Sequence, residues 1–396
     1  MAIGVMNVTT YGFTMVAARI LGPDKYGAMA GLMATVLVIG VIQLGVQATA
    51  ARRVAAEPEH LAQIERGVMW VTYRIALALG LALLVASPLL TVVLRLDGLL
   101  PAVLVAVAAV PLTITGGQSG VLQGERRWGE LSWIYLSIGV GRLGLGAGLI
   151  LWRPTEVMAM LGVTIGLILS AVLGWFLLRG TRDDGPVSDQ HGARAILKES
   201  LHNGFALLAF FVLSNVDVII ARNLLQPHQA GLYAAGLILT KAVLFLPQFV
   251  VIVSFPSMSS GEGRRKALKV SVLGVAALGV LSTLAAAVLP SLALVFVGGG
   301  AFDGVKPYLW LFALVGTALA MLQLLLFSEL ARQGRRASWF IWSALVALVV
   351  LAPFLAHTLI HLVALVMAID SILCATLFAM ALRHHPAPAD LEPTPV

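Results

Sequence analysis

Long apolar runs, each about the length of a helix that crosses a lipid bilayer, occupy most of this chain. A helix needs about 20 apolar residues to span the hydrocarbon core, because each residue adds only about 1.5 Å along the axis. Twelve runs reach about this length, at 1–18, 28–50, 67–94, 100–122, 130–151, 156–178, 200–221, 231–256, 267–297, 306–328, 337–356 and 359–382. The sequence therefore predicts an all-α integral membrane protein with about twelve transmembrane helices.

Charge is scarce in this chain, and its distribution predicts how the helices are oriented. Hydrophobic residues make up 59% of the sequence and charged residues 11%, and mean hydropathy is +0.95, whereas about one-quarter of a soluble domain is charged. Lys and Arg cluster in the loops after even-numbered runs, as at Arg52 and Arg53. Since such residues accumulate on the cytoplasmic side, both termini are predicted to be cytoplasmic. Attraction to anionic lipid explains the net charge of +7 without a nucleic-acid partner.

A short motif occurs twice and divides the chain into halves. The pattern L-x-P-x-x-x-G appears at Leu21–Gly27 and again at Leu225–Gly231. Repetition at this spacing indicates one ancestral unit used twice, which in a chain of membrane helices is typical of a transporter. We therefore predict a six-helix lobe at 1–182, a cytoplasmic linker at 183–199, a second six-helix lobe at 200–383 and a disordered cytoplasmic tail at 384–396.

Five charged side chains lie more than one helical turn inside the predicted spans, namely Arg74, Arg142, Lys241, Asp217 and Asp370. A charge at the bilayer centre costs at least about 2.5 to 3.5 kcal/mol, so each group needs a partner, water or a ligand. We expect the three cations to bind an anionic substrate in a central cavity. We expect the two acids to act as a proton- or sodium-binding switch.

A structural role is the alternative for most of these charges. Lys241 has Asp217 and Asp370 available as salt-bridge partners, and Arg74 lies near enough to the cytoplasmic end of its span to extend to the surface. Arg142 is the strongest substrate-binding candidate, because its half contains no deep acid to neutralise it.

No motif predicts an enzyme active site, a metal centre or a cofactor other than a coupling H⁺ or Na⁺. The G-x-G-x-x-G pattern at Gly139–Gly144 lies inside a span, without the preceding strand that a dinucleotide site requires. His357 and His361 fall at a short turn, and the single Cys374 excludes an internal disulfide and a cysteine metal site. A membrane-embedded polymerase or glycosyltransferase is disfavoured, because the predicted outer loops are only a few residues long.

Four segments resemble one family of membrane proteins. Ala18–Gly27 and Ala51–Arg53 follow the first two spans, and Asn215–Arg222 and Lys241–Gln248 lie at the start of the second half. They are similar to segments of the polysaccharide-biosynthesis flippases of O-antigen type. That family belongs to a superfamily that also contains the multidrug-and-toxin extrusion (MATE) carriers and the peptidoglycan lipid flippases.

The resemblance implies a V-shaped, MATE-like pair of lobes that opens alternately to each side of the plasma membrane. The expected substrate is an anionic polyprenyl-diphosphate-linked oligosaccharide, flipped from the inner to the outer leaflet for cell-surface polysaccharide synthesis. A polysaccharide polymerase and glycosyltransferases are the expected protein partners. The family's motif positions fall on Arg19, Arg222, Asp217 and Lys241, so the resemblance adds Arg19 and Arg222 to the substrate-binding candidates.

Two other transport functions remain open at this point. A cation-coupled multidrug antiporter of the same superfamily would favour a cavity dominated by acids, whereas the deep charges here are mostly cationic. A facilitator-type sugar carrier also has twelve helices, but 51–67 lacks the G-x-x-x-D-R-x-G-R-R-like loop expected in such a protein. Neither alternative is an enzyme.

Overall fold

The computed structural model describes residues 2–179, 193–245, 264–330 and 336–383. Most of the chain in these ranges is helical, short turns connect the helices, and no strand occurs in them. Ten helices in these ranges are long and apolar enough to cross a membrane. The all-α membrane architecture is therefore confirmed. The count of twelve spans and the cytoplasmic position of both termini stay predictions.

The first helix, α1 (Ala2–Ala56), bends at Gly22. A straight helix of its 55 residues would be about 80 Å long, far more than the thickness of a bilayer. Gly22 has φ 67° and ψ 174°, a conformation that only glycine adopts without strain. Pro23 follows, and it suits the first position of a new helix because it has no N–H to leave unpaired. The two arms of α1 thus correspond to the first two predicted spans.

Four helices complete the first half: α2 (Leu61–Val93), α3 (Leu100–Gly124), α4 (Trp128–Trp152) and α5 (Glu156–Leu178). A short 3₁₀ turn at Pro58–His60 precedes α2. Within α4, Arg142–Gly146 forms a π-helical segment. Thr155 caps α5, because its hydroxyl accepts a hydrogen bond from Met158 N.

Seven helices form the described parts of the second half: α6 (Ala193–Leu224), α7 (Pro227–Phe245), α8 (Arg264–Val288), α9 (Pro290–Val297), α10 (Leu309–Leu330), α11 (Arg336–Leu355) and α12 (Leu359–Arg383). The predicted ninth span, 267–297, is broken where Pro290 starts α9. A 3₁₀ segment at Gly300–Tyr308 then leads into α10. Residues 193–199 of the predicted linker belong to α6. Residues 183–192 and the predicted tail at 384–396 lie outside the described ranges.

The packing of α1 organises the molecule. Its second arm crosses α3 closely, since a Cβ atom placed on Gly120 would lie 2.5 Å from the Gln47 carbonyl oxygen. Gly116 and Gly124 lie one turn on either side and approach α1 in the same way, as small residues spaced by four do in membrane helix pairs. The same helix also packs against α6 and α7 of the second half. In the second half, α10 packs against α7, α8 and α12.

Candidate transport site

The two copies of the repeated motif contact each other at one end of the helix bundle, here called the Gly22 end. Gly27 and Gly231 are the last residues of the two motifs, and a Cβ atom on Gly27 would lie 3.2 Å from Gly231 N. A Cβ atom on Gly231 would overlap the carbonyl group of Pro23. His228 Nδ1 lies 3.2 Å from Asp24 Oδ1 beside this contact. Glycine at both positions therefore permits the two halves to meet backbone to backbone.

Arg222 crosses from the second half to the first at the Gly22 end. It is only 7% exposed, and its guanidinium donates to Leu94 O at 3.1 Å and to Arg95 O at 2.7 Å. Arg95 ends α2 in the left-handed conformation, with φ 48°, and its side chain donates in return to Asn223 O. These bonds satisfy two carbonyl groups just beyond the end of α2, where the chain no longer forms helical hydrogen bonds.

Arg19 makes a similar contact from the first half to the second half. It follows the first span as Arg222 follows the seventh, and its guanidinium donates to Val295 O in α9, at 2.7 Å. We call the bonds of Arg19 and Arg222 together the arginine clasp. A small polar cavity of about 150 Å³ lies beside it, lined by Asp24, Lys25, Ala28, Arg95, Asp97, Glu156, Arg222 and Pro227. The structure thus places both arginines in contacts between the halves.

Asp217, Lys241 and Asp370 lie together in the second half. The two acids are 3% and 2% exposed, and both are close enough to Lys241 for the charges to interact. Asp217 accepts hydrogen bonds from the Tyr233 hydroxyl and from Val218 N, each at 2.9 Å. We call Asp217, Tyr233, Lys241 and Asp370 the acidic cluster.

The acidic cluster is incompletely paired. Lys241 donates to the carbonyl oxygen of Ser214 at 2.5 Å. Among the ion pairs of the described side chains, none joins Lys241 to Asp217 or Asp370. Asp370 Oδ2 is buried and has no hydrogen-bond partner. A structural salt bridge, the alternative considered for Lys241, is therefore not formed in this conformation.

Arg142 lies in the first half, at the start of the π-helical segment of α4. Its Nε is buried and has no hydrogen-bond partner, and no described acid pairs with it. The helix is held tightly here, since a Cβ atom on Gly141 would lie 3.2 Å from the backbone of Gly166 in α5. Single π turns inside α-helices are frequent at functional sites. Arg142 is thus an unpaired guanidinium within a membrane span.

Arg74 is placed differently from Arg142. Its guanidinium stacks 3.7 Å from the centre of the Trp70 ring, and both side chains are exposed on α2. Arg74 is therefore exposed on α2, whereas the Arg142 Nε is buried in α4.

A polar triad in the first half was not predicted. Gln47 Nε2 donates to Gln123 Oε1 at 2.9 Å and to the Tyr135 hydroxyl at 2.8 Å. The three side chains come from α1, α3 and α4. In the sequence these residues are two glutamines and a tyrosine within or beside apolar runs. Their spacing does not indicate that the three side chains meet. Tyr233 of the acidic cluster was missed for the same reason.

The end of the bundle opposite the Gly22 end also joins the two halves. Glu199 of α6 pairs with Arg52 at 2.5 Å and with Arg53 at 3.0 Å. Ile196, one turn earlier, packs among Val54, Ile64 and other buried side chains of the first half. The first two turns of α6 are thus docked on the first half.

Comparison with protein families identifies the chain. A family model described as polysaccharide biosynthesis protein matches residues 1–262, which is well over half of the sequence. The chain belongs to this family. Comparison with curated proteins found no match.

This polysaccharide biosynthesis family member has the fold of known transporters. A multidrug-resistance MATE transporter of the MOP superfamily in an inward-facing conformation superimposes with TM-score 0.76 at 14% identity, covering 94% of this chain and 93% of that one. The lipid II flippase MurJ in an inward closed conformation gives 0.75 at 12% identity, covering 97% and 87%. The eukaryotic MATE transporter AtDTX14 gives 0.67 at 11% identity, covering 97% and 94%. The predicted family and MATE-like fold are confirmed, and the family member is a multi-pass membrane protein.

Proposed function

We propose that this protein flips a polyprenyl-diphosphate-linked oligosaccharide from the inner to the outer leaflet of the plasma membrane, for cell-surface polysaccharide synthesis. The observation that carries the proposal is Arg142, an unpaired guanidinium within a span of a polysaccharide biosynthesis family member. A buried cation without an acid is costly in a membrane. A diphosphate on the substrate supplies the missing negative charge, and a guanidinium binds phosphate oxygens in pairs.

Alternating access is supported by the contacts at the two ends of the bundle. At the Gly22 end, predicted to face outward, the arginine clasp and the Gly27–Gly231 contact close the space between the halves. The clasp must break for the substrate to leave toward the outer leaflet. Among the described residues, the bonds Arg95–Asn223, Asn223–Val93 and His228–Asp24 also cross between the halves at this end. Binding of the substrate or of a coupling ion must favour the open state by enough to offset the loss of these contacts.

The acidic cluster is proposed to couple transport to H⁺ or Na⁺. A buried carboxylate is costly unless it is paired, and Asp370 Oδ2 has no partner in this conformation. A proton or a sodium ion bound by Asp370 or Asp217 removes that cost. Because Asp217 lies on α6 and Asp370 on α12, occupation of the cluster changes how these two helices attract each other.

A cation-coupled multidrug antiporter is the second candidate, favoured by the acidic cluster and by the MATE fold. Such a carrier accepts cationic amphiphiles at buried acids. Arg142 argues against it, because an unpaired cation repels a cationic substrate.

A deletion strain of the native host tests the proposal. Lipid-linked oligosaccharide in each leaflet and surface polysaccharide are measured with and without the wild-type gene. The flippase is expected to be required for surface polymer, with intermediate accumulating in the inner leaflet when it is absent. Normal polysaccharide together with altered sensitivity to cationic drugs would overturn the proposal in favour of the antiporter.

A further inference from the structure

The polar triad, Gln47, Gln123 and Tyr135, retains unused hydrogen-bonding capacity. Gln47 Nε2 makes both internal bonds, which leaves the Gln47 carbonyl oxygen, the Gln123 amide N–H groups and the Tyr135 hydroxyl proton unused. These three side chains make no further hydrogen bond. Among the described residues, Gln47 Oε1 and Gln123 Nε2 have no partner and are not among the fully buried atoms that lack one, so both keep some accessible surface, and Tyr135 is half-buried.

A second glutamine on α3, Gln118, provides a comparison, because its amide group has only a structural role. Gln118 is 1% exposed, and its Nε2 donates to the Ala171 carbonyl oxygen of α5 at 2.9 Å. Gln118 packs against Gly174, and its Oε1 is buried and has no hydrogen-bond partner. Gln118 therefore acts as a bond between two helices. The triad differs because its free donors and acceptor remain available to a ligand.

The backbones that carry the triad pack closely against each other. A Cβ atom on Gly120 would lie 2.5 Å from the Gln47 carbonyl oxygen, and a Cβ atom on Gly124 would lie 2.5 Å from Val54 Cβ, further along the same arm of α1. Polar groups on closely packed helices bind a ligand at a smaller ordering cost than groups on mobile segments.

Tyr135 and Arg142 lie on one face of α4. They are seven residues apart, which places them about 10 Å apart along the axis on the same side of the helix. Trp128, seven residues earlier on that face, is exposed. This face of α4 therefore carries the Trp128 indole, the Tyr135 hydroxyl of the triad and the unpaired Arg142 guanidinium, in that order.

We propose that the polar triad is the subsite that binds the sugars of the lipid-linked substrate, while Arg142 binds its diphosphate. The inference rests on the proposed function and deepens it. Amide and hydroxyl groups pair with sugar hydroxyls, which both donate and accept hydrogen bonds, and they bind such groups without a net charge. The triad lies near the end of the bundle where Arg52 and Arg53 meet Glu199. That end is predicted to be cytoplasmic, the side from which the substrate arrives.

Binding to the full-length protein in nanodiscs tests the subsite. The probes are farnesyl diphosphate and three farnesyl-diphosphate monosaccharides carrying glucose, galactose or N-acetylglucosamine. Wild type is expected to bind at least one glycosylated probe about tenfold tighter than farnesyl diphosphate, a difference typical of one or two hydrogen bonds. Gln47→Leu and Tyr135→Phe are expected to abolish this preference while leaving the affinity for farnesyl diphosphate unchanged.

Two variants serve as matched controls. Gln118→Leu removes an amide from α3 and is expected to keep the wild-type preference for the glycosylated probe. Arg142→Ala is expected to weaken both kinds of probe by the same factor. Tyr135→Phe removes a single oxygen atom and keeps the Gln47–Gln123 bond, so it tests the subsite even if Gln47→Leu does not fold.

The outcomes separate the two proposals. A preference that persists in Tyr135→Phe and in folded Gln47→Leu, or a wild type without any preference, would overturn the sugar subsite and leave the diphosphate site standing. A wild type that binds none of the four probes would overturn the proposed function and the subsite with it.

Discussion

The two halves share a fold unit but differ in their buried charges. The first half contains Arg142, whose Nε has no partner. The second half contains Asp217 and Asp370 around Lys241, with Tyr233 bonded to one acid. In the proposed function Arg142 binds the anionic substrate and the acids bind the coupling cation, so the two halves of a duplicated unit serve different ligands.

The arginine clasp is different, because both halves contribute to it in the same way. Arg19 and Arg222 each follow the first span of a half and bind carbonyl groups of the other half. The clasp is therefore common to both halves, whereas the unpaired Arg142 and the acidic cluster each belong to one half.

Loss of the Arg142 charge is expected to have the largest effect. In the complemented deletion strain, Arg142→Ala should lower surface polysaccharide roughly a hundredfold, which corresponds to about 2.7 kcal/mol of lost transition-state stabilisation. Arg74→Ala is the matched control, since it removes an arginine from an exposed face of α2. Export should stay near the wild-type level in that variant. Equal loss in both variants, at equal membrane levels, would remove the distinction between the two arginines.

Neutralising an acid of the second half is expected to change coupling and leave substrate binding intact. Asp217→Asn and Asp370→Asn should remove the dependence of transport on a proton or sodium gradient, with a rate about tenfold lower under a gradient. Flipping is measured in vesicles at several gradients. Asp24→Asn, at an exposed acid beside His228, should retain full dependence. Coupling that survives in both Asp217→Asn and Asp370→Asn would assign the ion site to another part of the chain.

Breaking the clasp is expected to open the Gly22 end. Arg222→Ala removes two hydrogen bonds from a buried arginine, whereas Arg19→Ala removes one from an exposed arginine, so Arg222→Ala should have the stronger effect. In a Cys374→Ser background, labelling of Ala28→Cys by a membrane-impermeant thiol reagent reports opening. We expect labelling to rise several-fold for Arg222→Ala and less for Arg19→Ala. Unchanged labelling in both would show that the clasp does not hold this end closed.

The Tyr233 hydroxyl is expected to make the smallest contribution. Tyr233→Phe removes one hydrogen bond to Asp217, while the bond from Val218 N to the same carboxyl group remains. The concentration of H⁺ or Na⁺ that half-saturates transport should shift, while affinity for the diphosphate probe stays constant. A loss of probe affinity would mean that the two sites are not separate.

The lengths of apolar runs are local properties, and they predicted the membrane-spanning helices. The first two runs correspond to the two arms of α1, and the bend at Gly22 lies in the gap between these runs. The pattern did not predict that α1 continues as helix on both sides of Gly22. Nor did it predict that the ninth span would break at Pro290.

The site was predicted less completely, because its contacts join residues far apart in the sequence. Burial cost singled out Arg142, Asp217, Lys241 and Asp370, since a charge inside an apolar run is visible without a structure. The partners of Arg19 and Arg222 are backbone carbonyl groups in the other half. Nothing in a sequence marks a carbonyl group as a partner, so the contacts of these two arginines could not be predicted.

Flipping by the purified protein in liposomes tests the central claim most directly. A fluorescent short-chain polyprenyl-diphosphate sugar is incorporated into one leaflet, and its appearance in the other leaflet is followed for wild type, Arg142→Ala and Arg74→Ala. We expect rapid flipping by wild type and Arg74→Ala and almost none by Arg142→Ala. Equal flipping by wild type and Arg142→Ala would contradict the assignment of the unpaired guanidinium to the substrate diphosphate.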